Sequence, residues 1–275
     1  MSTRTQHATA TDEWNIAAVD VDAYLERIGR PRTEPSAETL RSLHEAHVRT
    51  IPFENVDVVL GEHPGLETGV VTDKLIGRRR GGYCYEHALL FAAVLEHLGF
   101  SVRRRMARVQ PHRAGPRTHM VLIVRTDAGD HLADVGFGAG VLHPMPLEHG
   151  AVVDQTGWPH RLTHHEGVWT LSKYGENGWE ALHAFDDTPQ HPVDYEVAHH
   201  YTATHPNSPF TGKLVVMRIG HGVSRRLVGD ELTVEHADGR VERTPVPPER
   251  LGDTLRDLDV VLDDAELERL RARLG

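Results

Sequence analysis

Near residue 100 the apolar pattern of this chain changes period, and that change restricts the fold more than any other feature. Before it, apolar residues recur at helical spacing. "DVDAYLERIG" (20–29) places Val21, Tyr24, Leu25 and Ile28 on one face and stops at Gly29. "PSAETLRSLHEAHVRTIP" (35–52) places Leu40, Leu43, His47 and Val48 in a stripe, with Ser36 as N-cap. A third helix is predicted from Cys84 to Gly99, its inward face carrying Ala88, Phe91, Ala92, Leu95 and Leu98. Beyond it the runs are short and bounded by turn residues. "HMVLIVRTDAGDHLADVGFG" (119–138) predicts a hairpin around Asp-Ala-Gly-Asp, and "VWTLSKYGENGWEALHAF" (168–185) a second around "GENG". "KLVVMRIG", "SRRLVG" and "ELTVEHADGRVER" predict further strands, with "DG" at 238–239 as a hairpin turn. "DDAELERLRARLG" closes the chain as an amphipathic helix with Leu267, Leu270 and Leu274 in register. Helices, then strands, then strands with a terminal helix make an α+β chain of three parts. The polar residues 1–12 are expected to be disordered, and no internal repeat is present.

Composition narrows the function. The chain has 275 residues, of which 39% are hydrophobic, enough for one large domain or a few small parts sharing a core. The net charge of -10 and the lack of a long basic run argue against nucleic acid and anionic membrane as main partners. No apolar run approaches the roughly 18 residues of a membrane span, and the first residues carry no apolar signal core. Cys84 is the only cysteine, so an internal disulfide is impossible; the expected location is the cytoplasm.

That cysteine sits in "RRRGGYCYEHALLFAAVLEHLGF" (78–100), at the predicted start of a helix. Helix N-termini favour a negative sulfur, through unpaired N–H groups and the macrodipole. Gly81 and Gly82 are expected to form a sharp approach turn through positive φ. Arg80 adds positive charge or pairs with Glu86 or Glu54, and backbone N–H groups of the turn are candidate oxyanion donors. A lone cysteine is otherwise most simply a small buried hydrophobe.

A catalytic thiol needs a histidine and an orienting carboxylate. With 21 histidines, sequence proximity selects nothing. A histidine opening an apolar strand, with an acid on a neighbouring strand, is a better filter; His119 and Asp134 meet it. If Ala128 and Gly129 centre the turn, His119 pairs with Gly138 and shares a face with Asp134. The two then lie about 13 Å apart along the strands at 3.3 Å per residue. A direct His–Asp bond would need a longer loop, a bulge or non-adjacent strands. "GFGAG" (136–140) fails as a dinucleotide fingerprint because "VLHPMP" cannot start a helix. The pairs His164–His165 and His199–His200, read as strand neighbours on opposite faces, are poor metal ligands, and no metal site is expected.

These motifs carry a resemblance. "DAYLERIG", "IPFENVDVVLG" (51–61), "RGGYCYEH" (80–87), "VLEHLGF" (94–100), "ARV" (107–109), "THMVLIV" (118–124), "DVGFG" (134–138) and "THPNSPF" (204–210) occur in the order found in the bacterial arylamine N-acetyltransferases, which the chain resembles through residue 210. The resemblance implies a Cys-His-Asp triad at Cys84, His119 and Asp134 on a cysteine-protease-like core. It implies a helical bundle (1–100), a β-barrel (101–212) and an α/β lid (213–275). Phe53, Phe137 and Gly138 would line the acceptor pocket; Thr118, Ser208 and Phe210 would lie near the coenzyme. Acetyl-CoA would be the acyl donor and an aromatic amine, hydrazine or N-hydroxyarylamine the acceptor. The reaction would be ping-pong through S-acyl-Cys84. One departure stands out: Ala88 occupies a position that is often Asn in the family. Two alternatives are kept: an amide synthase of the same family acting on a polyketide or carrier thioester, and a cysteine peptidase or transglutaminase-like enzyme.

Overall fold

A computed structural model describes residues 12–138 and 140–275; the expectation for the N-terminal residues up to 11 lies outside the described residues. The helical part runs α1 (Val21–Ile28), α2 (Ala37–Thr50), the short strand β1 (Phe53–Glu54), α3 (Val56–Leu60), α4 (Thr68–Thr72), a π-helical turn (Asp73–Gly77) and α5 (Cys84–His97). The caps read from the sequence are present. Ser36 Oγ accepts from Thr39 N at 3.0 Å, and Gly29 ends α1 at φ +64°. The expected single inward face of α5 is corrected: every residue from Cys84 to Leu95 is buried. Its sequence is apolar nearly all round, and helices α1 and α4 and the following strands pack against different sides of it.

Next come β2 (Ser101–Val109), β3 (His119–Thr126), β4 (Gly129–Ala133), β5 (Met145–Pro146), β6 (Val152–Asp154), β7 (Pro159–His165), β8 (Val168–Gly175) and β9 (Gly178–Phe185). They form one antiparallel sheet in the order β5-β4-β3-β2-β9-β8-β7-β6, nearly closed into a barrel. Gln155 ties its two edges: its Oε1 accepts from Leu142 N (2.8 Å) and His143 N (2.6 Å), and its Nε2 donates to His143 O (3.0 Å). Strand β3 is buried on both faces. Val121 and Ile123 point into a core with Leu132, Leu162, Leu171 and Phe185, while Met120, Leu122 and Val124 pack towards the helices.

Helix α6 (Pro192–Thr204) follows and corrects the strand reading of His199–His200, since both residues lie on it. The chain ends with β10 (Val215–Gly220), β11 (Val223–Val228), β12 (Glu231–His236), β13 (Val241–Pro245), α7 (Leu251–Asp257) and α8 (Asp264–Leu274). The second sheet is completed from far away in sequence: β1 pairs with β10, Phe53 opposite Met217. Its core joins Val56, Val59 and Leu60 of α3 to Leu214, Leu227, Leu255 and Leu270. Among the described residues no helix is long and apolar enough to cross a membrane.

Candidate active site

Cys84 is the first residue of α5 and is buried. The glycines before it act differently from the expectation. Neither Gly81 nor Gly82 has positive φ; Arg79 does, at +55°. They are needed for close packing. A Cβ on Gly81 would lie 2.2 Å from Pro52 O, and one on Gly82 2.5 Å from Glu86 Oε2. Glu86 holds the helix start by accepting from Tyr83 N at 3.0 Å. It pairs with Lys74 at 2.8 Å, not with Arg80. Burial alone would raise the Glu86 carboxyl, but the Lys74 ammonium holds it well below the usual carboxylate range. Arg80 instead reaches Glu54 (3.8 Å), Asp57 (3.3 Å) and Glu266 of α8 (2.8 Å), so the last helix is tied to the segment that carries Cys84.

His119 and Asp134 meet directly, by a route the sequence reading did not take. The β3–β4 register pairs Thr126 with Gly129 and Leu122 with Ala133, so Asp127 and Ala128 form the turn. Moving the turn by one residue moves the register by two. Asp134 therefore sits one position beyond the last paired residue, about two residues along from His119 in place of four. At 3.3 Å per residue that is roughly 7 Å, within reach of two side chains on one face. Nε2 of His119 donates to Asp134 Oδ2 at 2.9 Å and lies 3.0 Å from Oδ1, and no bulge is required. Its other ring nitrogen is left free of Asp134, and Cys84 lies close enough to act on the charge of the imidazole. Burial works against a charged imidazole here. The Asp134 carboxylate outweighs it and, with Cys84, raises His119 to about 10. Burial would likewise raise Asp134, but its two histidine partners hold it well below the usual carboxylate range.

The second partner is His183 on β9, fully buried, whose Nε2 donates to Asp134 Oδ2 at 2.9 Å. Burial lowers its basicity, so it stays a neutral donor. A third histidine, His44 of α2, acts on the backbone: its Nε2 accepts from Asp134 N (3.1 Å) while Nδ1 donates to Leu142 O (3.0 Å). Sequence reasoning missed both. His183 does lie on an alternating strand, but so do several of the other histidines, and His44 carries no local signal. The donor atoms of His119, Asp134 and His183 all lie within 4.8 Å of one another, the spacing of a metal cluster. Each histidine here already gives its Nε2 proton to the carboxylate, so a metal ion would have to displace both protons.

A cavity of about 550 Å³ opens on Cys84 and His119. Phe53, Phe137, Gly138, Thr118, Ser208 and Phe210 all line it; Asp134 lies behind His119, and Ala88 is packed away from the cavity. Phe137 meets the His119 ring edge-on at 5.1 Å, and Phe53 and Phe210 tilt together at 5.9 Å. The Thr118 carbonyl accepts from Tyr85 Oη (2.8 Å) and lies 3.8 Å from Cys84 Sγ. The Ser208 hydroxyl is already engaged, donating to Thr202 O and accepting from Phe210 N. Gly136 lets the turn after Asp134 touch the helix: a Cβ there would lie 2.7 Å from Cys84 O and 2.8 Å from Cys84 Cα.

Comparison with known proteins identifies the family. The N-acetyltransferase family model matches residues 36–266. The arylamine N-acetyltransferase of Mycolicibacterium smegmatis is 41% identical over 237 residues, 82% of this chain and 85% of that protein. The structure of the arylamine N-acetyltransferase from Mycobacterium abscessus superposes with a TM-score of 0.91 at 36% identity, covering 98% of this chain and 99% of that one. The Mycobacterium marinum arylamine N-acetyltransferase in complex with CoA gives 0.86 at 34% identity, covering 93% and 98%. The family model matching residues 36–266, the 41% identity over 82% of the chain and the superposition on solved relatives together place this chain in the arylamine N-acetyltransferase family of enzymes.

Proposed function

We propose that this protein transfers an acetyl group from acetyl-CoA to an arylamine, arylhydrazine or N-hydroxyarylamine, through an S-acetyl-Cys84 intermediate. The observation that carries the reading is Cys84 and His119 on the wall of one cavity, with Asp134 bonded to His119 from behind. In this reading His119 takes the thiol proton, and Asp134 stabilises the imidazolium that results. The Cys84 thiolate attacks the thioester carbonyl. The carbon–sulfur bond to the coenzyme breaks, and the coenzyme thiolate leaves with the proton from His119. The amine nitrogen then attacks the acetyl-cysteine carbonyl and gives its proton to His119, and Cys84 leaves as thiolate. An arylamine is neutral near pH 7, so its lone pair needs no strong base. Phe53, Phe137 and Phe210 offer ring faces and edges to a flat acceptor. Gly138, Thr118 and Ser208 fall to the walls that receive acceptor and coenzyme.

The three-part division into 1–100, 101–212 and 213–275 belongs to the same proposal, with the last part as lid and β1 as the strand that fastens it to the helices. A cytoplasmic location fits one unpaired thiol. The reaction as proposed uses no metal, so activity should survive prolonged chelation. The decisive experiment mixes protein with acetyl-CoA and no amine. One acetyl group should appear on the peptide containing Cys84, and an arylamine should then remove it as the amide. Cys84→Ser should stay unlabelled. Amide formed at full rate with no acetyl-enzyme, and intersecting initial-rate lines, would replace this mechanism with direct transfer.

A further inference from the structure

The barrel mouth that holds His119 and His183 carries another histidine, outside the chemistry above. His160 lies on β7, opposite Lys173 of β8, and has no solvent exposure. It follows the inward alternation of Leu162, two residues on, which is buried in the barrel core. It also lines the cavity that contains Cys84. Its Nδ1 donates to Trp158 O at 2.7 Å, and that bond sets the tautomer. Nε2 is then an acceptor lone pair, and it has no partner among the described residues. Burial lowers this imidazole to about 4, so it stays neutral and keeps the lone pair.

The neighbouring protein donors bond to Glu235 and leave His160 Nε2 unpaired among the described residues. Lys173 Nζ is held by Glu235 Oε1 at 3.1 Å, and Trp158 Nε1 donates to the same oxygen at 3.0 Å. A buried acceptor without a donor carries a standing cost, which a ligand N–H or O–H relieves. We infer that His160 Nε2 is a recognition point for a hydrogen-bond donor group, an N–H or O–H, on one of the two substrates in the Cys84 cavity. The donor belongs either to a substituent of the acceptor amine or to an amide of the acyl-coenzyme. Resting on the two half-reactions proposed above, the inference assigns specificity and no chemical step to His160.

The test uses two variants. His160→Asn keeps a donor for Trp158 O and removes the acceptor; His160→Phe keeps the ring and removes both. Each half-reaction is followed by intact mass. The first is acetylation of Cys84 by acetyl-CoA without amine. The second is deacetylation by matched pairs, 3- and 4-aminophenol against 3- and 4-methylaniline. A neutral hydrogen bond is worth about three- to tenfold in rate constant over KM. If the acceptor supplies the donor, the parent favours a hydroxyl over a methyl by that factor and both variants lose the preference. If the coenzyme supplies it, both variants acetylate about three- to tenfold more slowly and deacetylate normally. If neither half-reaction moves in a folded variant, water satisfies Nε2 and the inference is overturned. Should one variant fail to fold, the other decides. Should both fail, a parent that shows no hydroxyl preference and acetylates equally fast from an acetyl thioester lacking the coenzyme's amides overturns it as well. A parent that never acetylates on Cys84 refutes the covalent mechanism instead, which is a separate result.

Discussion

Asp134→Asn is the substitution whose outcome the geometry constrains most. It keeps the shape of the side chain and removes its charge. Asp134 accepts from His119 Nε2 and from His183 Nε2, and both donors converge on Oδ2. An amide has one oxygen and one NH2 group, so one histidine must face a donor. The rise of His119 from 6.5 to about 10 corresponds to roughly 5 kcal/mol of preference for imidazolium. Burial opposes that charge, so without the carboxylate the imidazole should turn neutral at pH 7. Cys84 acetylation should then fall by about a thousandfold, and iodoacetamide alkylation of Cys84 at pH 6.5 should slow in parallel. Stopped single-turnover acetylation followed by intact mass reads the first, and peptide mapping the second. The stability profile checks the same pair. A histidine raised on folding contributes most below its unfolded value near 6.5, and the contribution is lost as pH rises towards about 10. The depressed Asp134 contributes above its unfolded value near 4, and that is lost on acidification. The gap between parent and variant should therefore be widest between pH 4 and 6.5 and shrink above it. A folded variant that acetylates within tenfold of the parent would refute the reasoning.

Three further outcomes are expected. His44 and His87, both fully buried, are lowered by burial to about 4, so the unfolded chain binds more protons between that value and 6.5. Denaturant unfolding should show stability lost as pH falls from 6.5 to 4, up to roughly 3 kcal/mol per histidine, and partly restored near pH 5 in His44→Gln. Lys74→Met should cost about 3–5 kcal/mol, because Glu86 and Asp57, each 2.8 Å from its ammonium, lose their buried partner; a loss below 1 kcal/mol in the same assay would mean that water reaches the pair. Gly136→Ala should cut Cys84 acetylation more than tenfold, because the added carbon meets backbone atoms of Cys84 that cannot move aside; an unchanged rate would show that the turn after Asp134 is free to shift.

How much was legible in the chain depended on how local the physics was. Caps, helix stops and hairpin turns are decided by a few adjacent residues, so Ser36, Gly29 and the strands about residues 176–177 and 238–239 could be read directly. Cys84 at a helix start and His119 at a strand start were also visible, because each marks a boundary between periods. The direct His119–Asp134 bond was not, since a one-residue difference in the turn shifts an antiparallel register by two. The full burial of α5 needed two layers, and nothing in the helix itself says that strands will cover its second side. Only the family resemblance points to Phe53 as a pocket residue, and its strand pairs with β10, more than 150 residues further on. The histidines show the division most sharply. Local pattern could not tell His44, His160 and His183 from the rest of the 21, because a buried imidazole takes its role from the partner it meets. Those partners are brought together only by long-range pairing: α2 against the turn after β4, and β9 across β2 and β3.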